Sequence, residues 1–192
     1  MFEELDVFVF TLGLTEAWRS RQDGAVFPLA PGVAGGAFDP ARHEFVNFGV
    51  AETVADLRAF RARLAGINPR ARMILTVSPV PLAATYEPRH VLTSTTASKA
   101  ILRAAAEEVT RADPTTWYFP SYEIITGHFG RRSYFEPDLR SVTPEGVDHV
   151  MRLFFRHASD AGPGAATAER QAAARESAAL FEIICDEELL GS

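Results

Sequence analysis

Three dense apolar runs and three amphipathic stretches alternate along this chain. Val7–Leu12 (VFVFTL) is rich in β-branched and aromatic residues, and Asp6–Leu12 is predicted as a strand buried on both faces. Glu52–Ala65 carries Val54, Leu57, Phe60 and Leu64 at helical spacing, with Gly66 and Asn68-Pro69 predicted to stop the helix. Met73–Val77 is a second buried strand, halted by Ser78-Pro79-Val80-Pro81. A helix over Ser98–Thr110 has Ile101, Leu102, Ala105 and Val109 on one face, with Thr95 or Thr96 as its cap. Thr116–Phe119 reads as a short third strand. Thr143-Pro144 then opens a helix over Glu145–His157, with Val147, Val150, Met151, Phe154 and Phe155 as its apolar stripe. Between the first strand and first helix, residues 19–50 hold Asp23-Gly24, Pro28, Pro31-Gly32, Gly35-Gly36 and Asp39-Pro40. That density of breakers predicts a long, partly ordered excursion over the sheet. The aromatics Phe27, Phe38, Phe45 and Phe48 argue that it packs.

Strand–helix alternation predicts an α/β fold with parallel strands joined by crossovers. Only three strands are legible, fewer than a doubly wound sheet usually has, which suggests missing material. The organisation expected is one domain over residues 1–157, a small-residue linker over 158–168 and a carboxyl-terminal helical segment over 169–192, with the helix itself at Ala172–Leu190.

Composition narrows the function classes. The chain has 192 residues, 47% hydrophobic and 23% charged, which suits one domain with a sizeable core. A formal net charge of -6 and the lack of a basic block argue against nucleic acid. No apolar run is long enough for a membrane span, and no signal peptide is legible, so a cytoplasmic location is expected. The single cysteine, Cys185, excludes an intrachain disulfide. His43, His90, His128, His149 and His157 form no HxH or HxxxH pair, so neither a metal nor a cofactor is expected. Of 19 basic residues, only Lys99 is a lysine, the compact point charge that arginine replaces poorly at a tight site.

Each predicted strand ends in polar residues: Gly13, Thr15 and Glu16 after the first, Ser78 with His90 a loop away after the second, and Ser121, Tyr122 and Glu123 after the third. In a parallel sheet these ends share one edge, where α/β folds place their chemistry. Acyl chemistry needs a nucleophile, a base and an oxyanion cradle. Gly13 lets a backbone N–H approach a developing oxyanion, His90 is a candidate base, and Asp138 can orient a histidine. Ser78 and Ser121 are candidate nucleophiles, though neither lies in GxSxG. Serine and threonine at these positions also cap helices, so the set informs more than its members.

VFVFTLGLTEAW at 7–18, FPLAPGVAGGAF at 27–38, Asn47-Phe48, LTVSPVPL at 75–82, His90-Val91-Leu92, Ser98-Lys99, YFPSYEI at 118–124 and HVMRLF at 149–154 together resemble the GSCFA domain family. That family is similar to the SGNH/GDSL hydrolases. The resemblance implies a flavodoxin-like, three-layer α/β/α fold with a parallel sheet, incomplete on its amino-terminal side, since no Gly-Ser-Cys-Phe-Ala string occurs here. It implies an acyl-ester hydrolase or acyltransferase acting on a small-molecule or glycan ester, inactive alone if its nucleophile lies outside this chain. Gly13 and Thr15 would stabilise the oxyanion, Thr15 standing where those hydrolases carry asparagine. Asp138 matches the aspartate of their Asp-x-x-His, with Ser141 at the histidine position, so His90, favoured over His149, would serve as base. Glu16, Trp18, Asn47, Ser78, Ser98, Lys99, Tyr122 and Glu123 would line the substrate site. A second expectation is a non-catalytic assembly module that completes its sheet with a second copy or another polypeptide. A flavodoxin-like nucleotide-binding module is a third.

Overall fold

The computed structural model describes residues 2–33, 36–128 and 134–158. The predicted linker and carboxyl-terminal helix lie outside the described residues, apart from the end of the last helix. The chain runs β1 (Val7–Leu12), β2 (Glu16–Ser20), β3 (Val26–Phe27), β4 (His43–Asn47), α1 (Val50–Ile67), β5 (Arg72–Val77), α2 (Val91–Ala112), β6 (Thr116–Tyr118), α3 (Ser121–Thr126) and α4 (Pro144–Ala158). It is an α/β fold, with a parallel sheet ordered β1-β5-β6 and a separate antiparallel sheet ordered β3-β2-β4.

β5 is the central strand, with Phe8 beside Met73 and Leu12 beside Val77 on one side, and Leu75 beside Tyr118 on the other. Side chains alternate across a strand, so Phe8, Phe10, Leu12, Met73, Leu75 and Val77 share one face. α1 and α2 cover that face with Val54, Leu57, Leu102, Ala105, Ala106 and Val109. Met73, Leu75 and Val77 are wholly inaccessible, and each such burial stabilises by about 1.5–3 kcal/mol. On the opposite face the Thr76 and Ser121 hydroxyls are 2.5 Å apart, and Ser121 Oγ donates to Val77 O. Those bonds seat α3, and α4 packs on α3. A Cβ at Gly146 would lie 2.9 Å from Tyr134 Cβ and Val142 Cγ1, so this close approach requires glycine.

Several local expectations change. β1 is an edge strand rather than one buried on both faces, with Val7 43% and Val9 45% exposed. The excursion over 19–50 contains the end of β2 and all of β3 and β4, and Trp18 of β2 pairs with Phe27 and Phe45 across the antiparallel sheet. Its aromatics interlock there, Trp18 standing 4.7 Å from Tyr86 and 5.2 Å from Phe38. Helix α1 continues through Gly66, and Asn68 ends it by donating its N–H to Leu64 O. The Asn68 side chain also donates to Phe2 O and Leu5 O, tying the segment before β1 to the helix end. Helix α2 starts seven residues before the predicted Ser98, capped by His90 rather than Thr95 or Thr96. Thr143 caps α4 as expected, its Oγ1 accepting from Gly146 N–H.

Candidate acyl site at the carboxyl end of the parallel sheet

All three parallel strands present their carboxyl ends on one side of the sheet, and the turn after β1 is the most firmly held of these ends. Thr15 is buried and its polar groups are all engaged. Its N–H donates to Ser98 Oγ at 2.8 Å, its hydroxyl to Asn47 Oδ1 at 2.7 Å, and its carbonyl accepts from Phe48 N–H at 2.9 Å. Lys99 Nζ donates to Gly13 O at 2.8 Å, although Lys99 is only 1% exposed. Burying a lysine amine is costly unless hydrogen bonds replace its water, so this placement ties the lysine to the turn. Two consecutive residues of α2 therefore grip two backbone groups of a three-residue turn.

Gly13 itself stands in the open. A Cβ built there would meet nothing within 4 Å, and its φ is not positive. Neither backbone strain nor protein packing demands a glycine there.

The loop between β5 and α2 is strapped across the antiparallel sheet. Glu16 accepts from Thr85 Oγ1 at 2.6 Å and from Tyr86 N–H at 3.1 Å, while Asn47 Nδ2 donates to Glu87 Oε1 at 2.9 Å. The Thr85 and Ser94 hydroxyls are 2.9 Å apart, and Arg89 Nε donates to Ser94 Oγ. Glu16, Asn47, Ser98 and Lys99 thus gather around the β1 turn, with Trp18 stacked edge-on against Tyr86 in the same loop. Thr85, Glu87, Arg89 and Ser94 are members that the sequence reading missed. A signal was present: Ser94, Ser98 and Lys99 are polar residues on the buried side of α2. Ser94 and Ser98 sit four apart, where apolar residues are expected.

Other candidates are placed elsewhere. Asp138 and His90 do not meet. His90 Nδ1 accepts from Leu92 N–H at 3.1 Å, which puts the neutral ring's proton on Nε2. In that tautomer Nε2 is a donor, and Nδ1 has no proton to give an aspartate. Asp138 closes its own turn, accepting from Arg140 N–H, Ser141 N–H and Ser141 Oγ. The Ser141 hydroxyl, followed by the Arg140 and Ser141 N–H groups, holds the Asp138 carboxyl below the usual range. His149 Nδ1 is 2.7 Å from Tyr134 Oη. The Thr15 hydroxyl, expected to help stabilise an oxyanion, donates to Asn47 Oδ1. Ser78 is buried and its Oγ accepts from Val80 N–H, while Ser121 is bonded to β5 as above. Tyr122 packs against the core. Glu123 accepts from Tyr118 Oη at 2.8 Å and from Arg103 Nε at 2.9 Å. Burial, reinforced by Glu123, pushes the Tyr118 phenol far above its usual range.

Among the described residues, no group of three His, Cys, Asp or Glu side chains is placed to hold a metal ion, and no helix is long and apolar enough to cross a membrane. No curated protein and no solved structure matches the chain. The family comparison is different. The GSCFA family model matches residues 1–154, a span that takes in the β1 turn, the strapped loop, both helices of the buried face and most of α4, and the chain belongs to the GSCFA family.

Proposed function

We propose that this chain supplies the carbonyl-oxygen-binding part of an acyl-ester hydrolase or acyltransferase site of the SGNH type, acting on a small-molecule or glycan ester. The observation that carries the reading is the β1 turn: an open Gly13 at the end of a parallel strand, held from beneath by Ser98 and Lys99. Preorganised backbone donors aimed at a developing oxyanion are the largest single contribution in many acyl-transfer sites. In this reading the chain binds and polarises the carbonyl. His90 is assigned to capping α2 through its Nδ1 and not to proton abstraction. In this reading the nucleophile and base are assigned to a segment beside the edge of β1 that has no partner among the described residues; the Ser98 and Ser121 hydroxyls are held internally and Ser78 is buried.

The test uses the purified full chain and phenylphosphonate, a tetrahedral anion that mimics the acyl-transfer intermediate. Binding should raise the melting temperature, and Gly13→Ala should abolish that rise without lowering melting in the free protein. No rise in the wild type removes the reading. Treatment with a fluorophosphonate should leave every serine unmodified, and an adduct on Ser78 or Ser121 would move the nucleophile into this chain.

A second reading, a non-catalytic assembly module, is favoured by one observation. Val7, Val9 and Phe10 remain 43%, 45% and 39% exposed on a strand whose outer edge has no partner among the described residues. Such an edge is a template for another chain. Sedimentation of the wild type as a lone monomer would rule out obligatory self-assembly.

A further inference from the structure

The donor in this turn can be identified from the geometry of one peptide group. The Gly13–Leu14 peptide is trans, as is every peptide bond described. In a trans peptide the C=O and the following N–H point in opposite directions. The Gly13 carbonyl points inward to Lys99 Nζ. The Leu14 N–H therefore points the other way, away from Lys99. No hydrogen bond uses that N–H among the described residues. The next N–H, from Thr15, turns back inward to Ser98 Oγ.

Lys99 does more than hold the loop in place. A donor bonded to a peptide oxygen draws electron density along the amide, and the N–H of that same amide becomes a stronger donor. The buried setting preserves the effect, because water does not screen it. Ser98 fixes the rotation of the adjoining peptide, so the Leu14 N–H has one direction.

We propose that Leu14 N–H is the oxyanion donor of this site, and that Lys99 and Ser98 are positioning residues that polarise and aim it. This rests on the acyl-site reading for its biological purpose, and on geometry alone for the donor itself. The ligand chemistry is a singly bonded, negatively charged oxygen, as in a tetrahedral acyl intermediate. Lys99 acts through the peptide and does not touch the ligand.

Lys99 is the only lysine in the chain, so one isotope label reports on it without ambiguity. The experiment is an NMR titration of the full chain, labelled with 15N throughout and observed at both amides and the lysine Nζ, with phenylphosphonate as probe. The expected result is a downfield shift of the Leu14 amide proton with a concurrent change at Lys99 Nζ. Ser98→Ala and Lys99→Met should weaken phosphonate binding roughly tenfold or more, and Lys99→Arg should restore part of it. A merely structural lysine would show no change at Nζ on titration. If Lys99→Met fails to fold, the wild-type titration alone decides. Phosphonate binding that shifts Gly13 or Thr15 amides and leaves Leu14 still would overturn the assignment while sparing the acyl-site reading. A Leu14 shift in a chain with no ester chemistry in any assembled form would uphold the donor and sink that reading.

Discussion

β1 and β5 are adjacent parallel strands of similar apolar sequence, VFVFTL and RMILTV, yet they live in different surroundings. Met73, Leu75 and Val77 of β5 are wholly buried, and Ile74 and Thr76 nearly so, because helices lie over one face and α3 over the other. β1 shares the helical face through Phe8 and Leu12, but its outer edge has no partner among the described residues and Val7 and Val9 look outward. The two also differ at their carboxyl ends. Ser78 after β5 is buried and bonded, whereas Gly13 after β1 opens onto free space above a turn gripped from below. An apolar run thus marks a strand without saying whether that strand serves the core or the surface. Here β5 carries stability, and β1 delivers a fixed turn to an accessible edge.

The largest effect should come from breaking β5. Leu75→Ala should cost about 2–5 kcal/mol in denaturant unfolding, the range for a large core truncation. Val9→Ala on β1 should cost less than about 1 kcal/mol. Equal losses would mean that the exposed face of β1 is covered in solution.

Two glycines sharpen the contrast between packing and access. Gly146→Ala drives a methyl into Tyr134 and Val142 and should destabilise by about 1–3 kcal/mol, read by thermal melting. Gly13→Ala should stay within about 0.5 kcal/mol of the wild type, since its Cβ meets no protein atom. Its consequence should appear only in phosphonate binding.

Val9→Lys tests the edge itself. Lysine on an exposed edge opposes strand addition, so any self-association of the wild type measured by sedimentation should weaken in this variant, with little change in melting.

The smallest effect is acid dependence at the foot of the sheet. Burial pushes the Asp113 carboxyl up, but bonds from the Thr115 hydroxyl and N–H, the Thr116 hydroxyl and the Arg61 charge outweigh it and hold the group below its usual range. A depressed carboxyl stabilises the fold above its unfolded value of about 3.9, and that contribution disappears as pH falls through the lower folded value. Asp113→Asn should therefore lower melting at neutral pH and flatten its decline below about pH 4. An unchanged acid profile would show that Asp113 is not a source of it.

The segments that the sequence revealed best were those whose signal is local. The Thr143-Pro144 cap, the core strand over 73–77 and the helical stripe of Leu57, Leu64, Leu102 and Val109 follow from backbone preference and spacing alone. The candidate site was legible only in part. Gly13, Glu16, Asn47, Ser98 and Lys99 were visible as residues, but nothing local relates Thr15 to Ser98, 83 positions away. His90 reads as a base because histidine carries that chemistry. Its cap role was not legible, because α2 begins earlier than its apolar stripe indicates, and backbone N–H groups at a helix start take the nearest acceptor.

The amino-acid sequence by itself determined the alternation of strands and helices, the parallel sheet and the apolar faces that meet in the core, because each depends on periodicities of a few residues. Tertiary structure alone decided that β1 lies at an edge, that the 19–50 excursion folds into its own antiparallel sheet, and that Lys99 turns inward to the Gly13 carbonyl. Those outcomes depend on which distant groups come within hydrogen-bonding reach, and a buried lysine amine or a trans peptide has a direction only once its partners surround it.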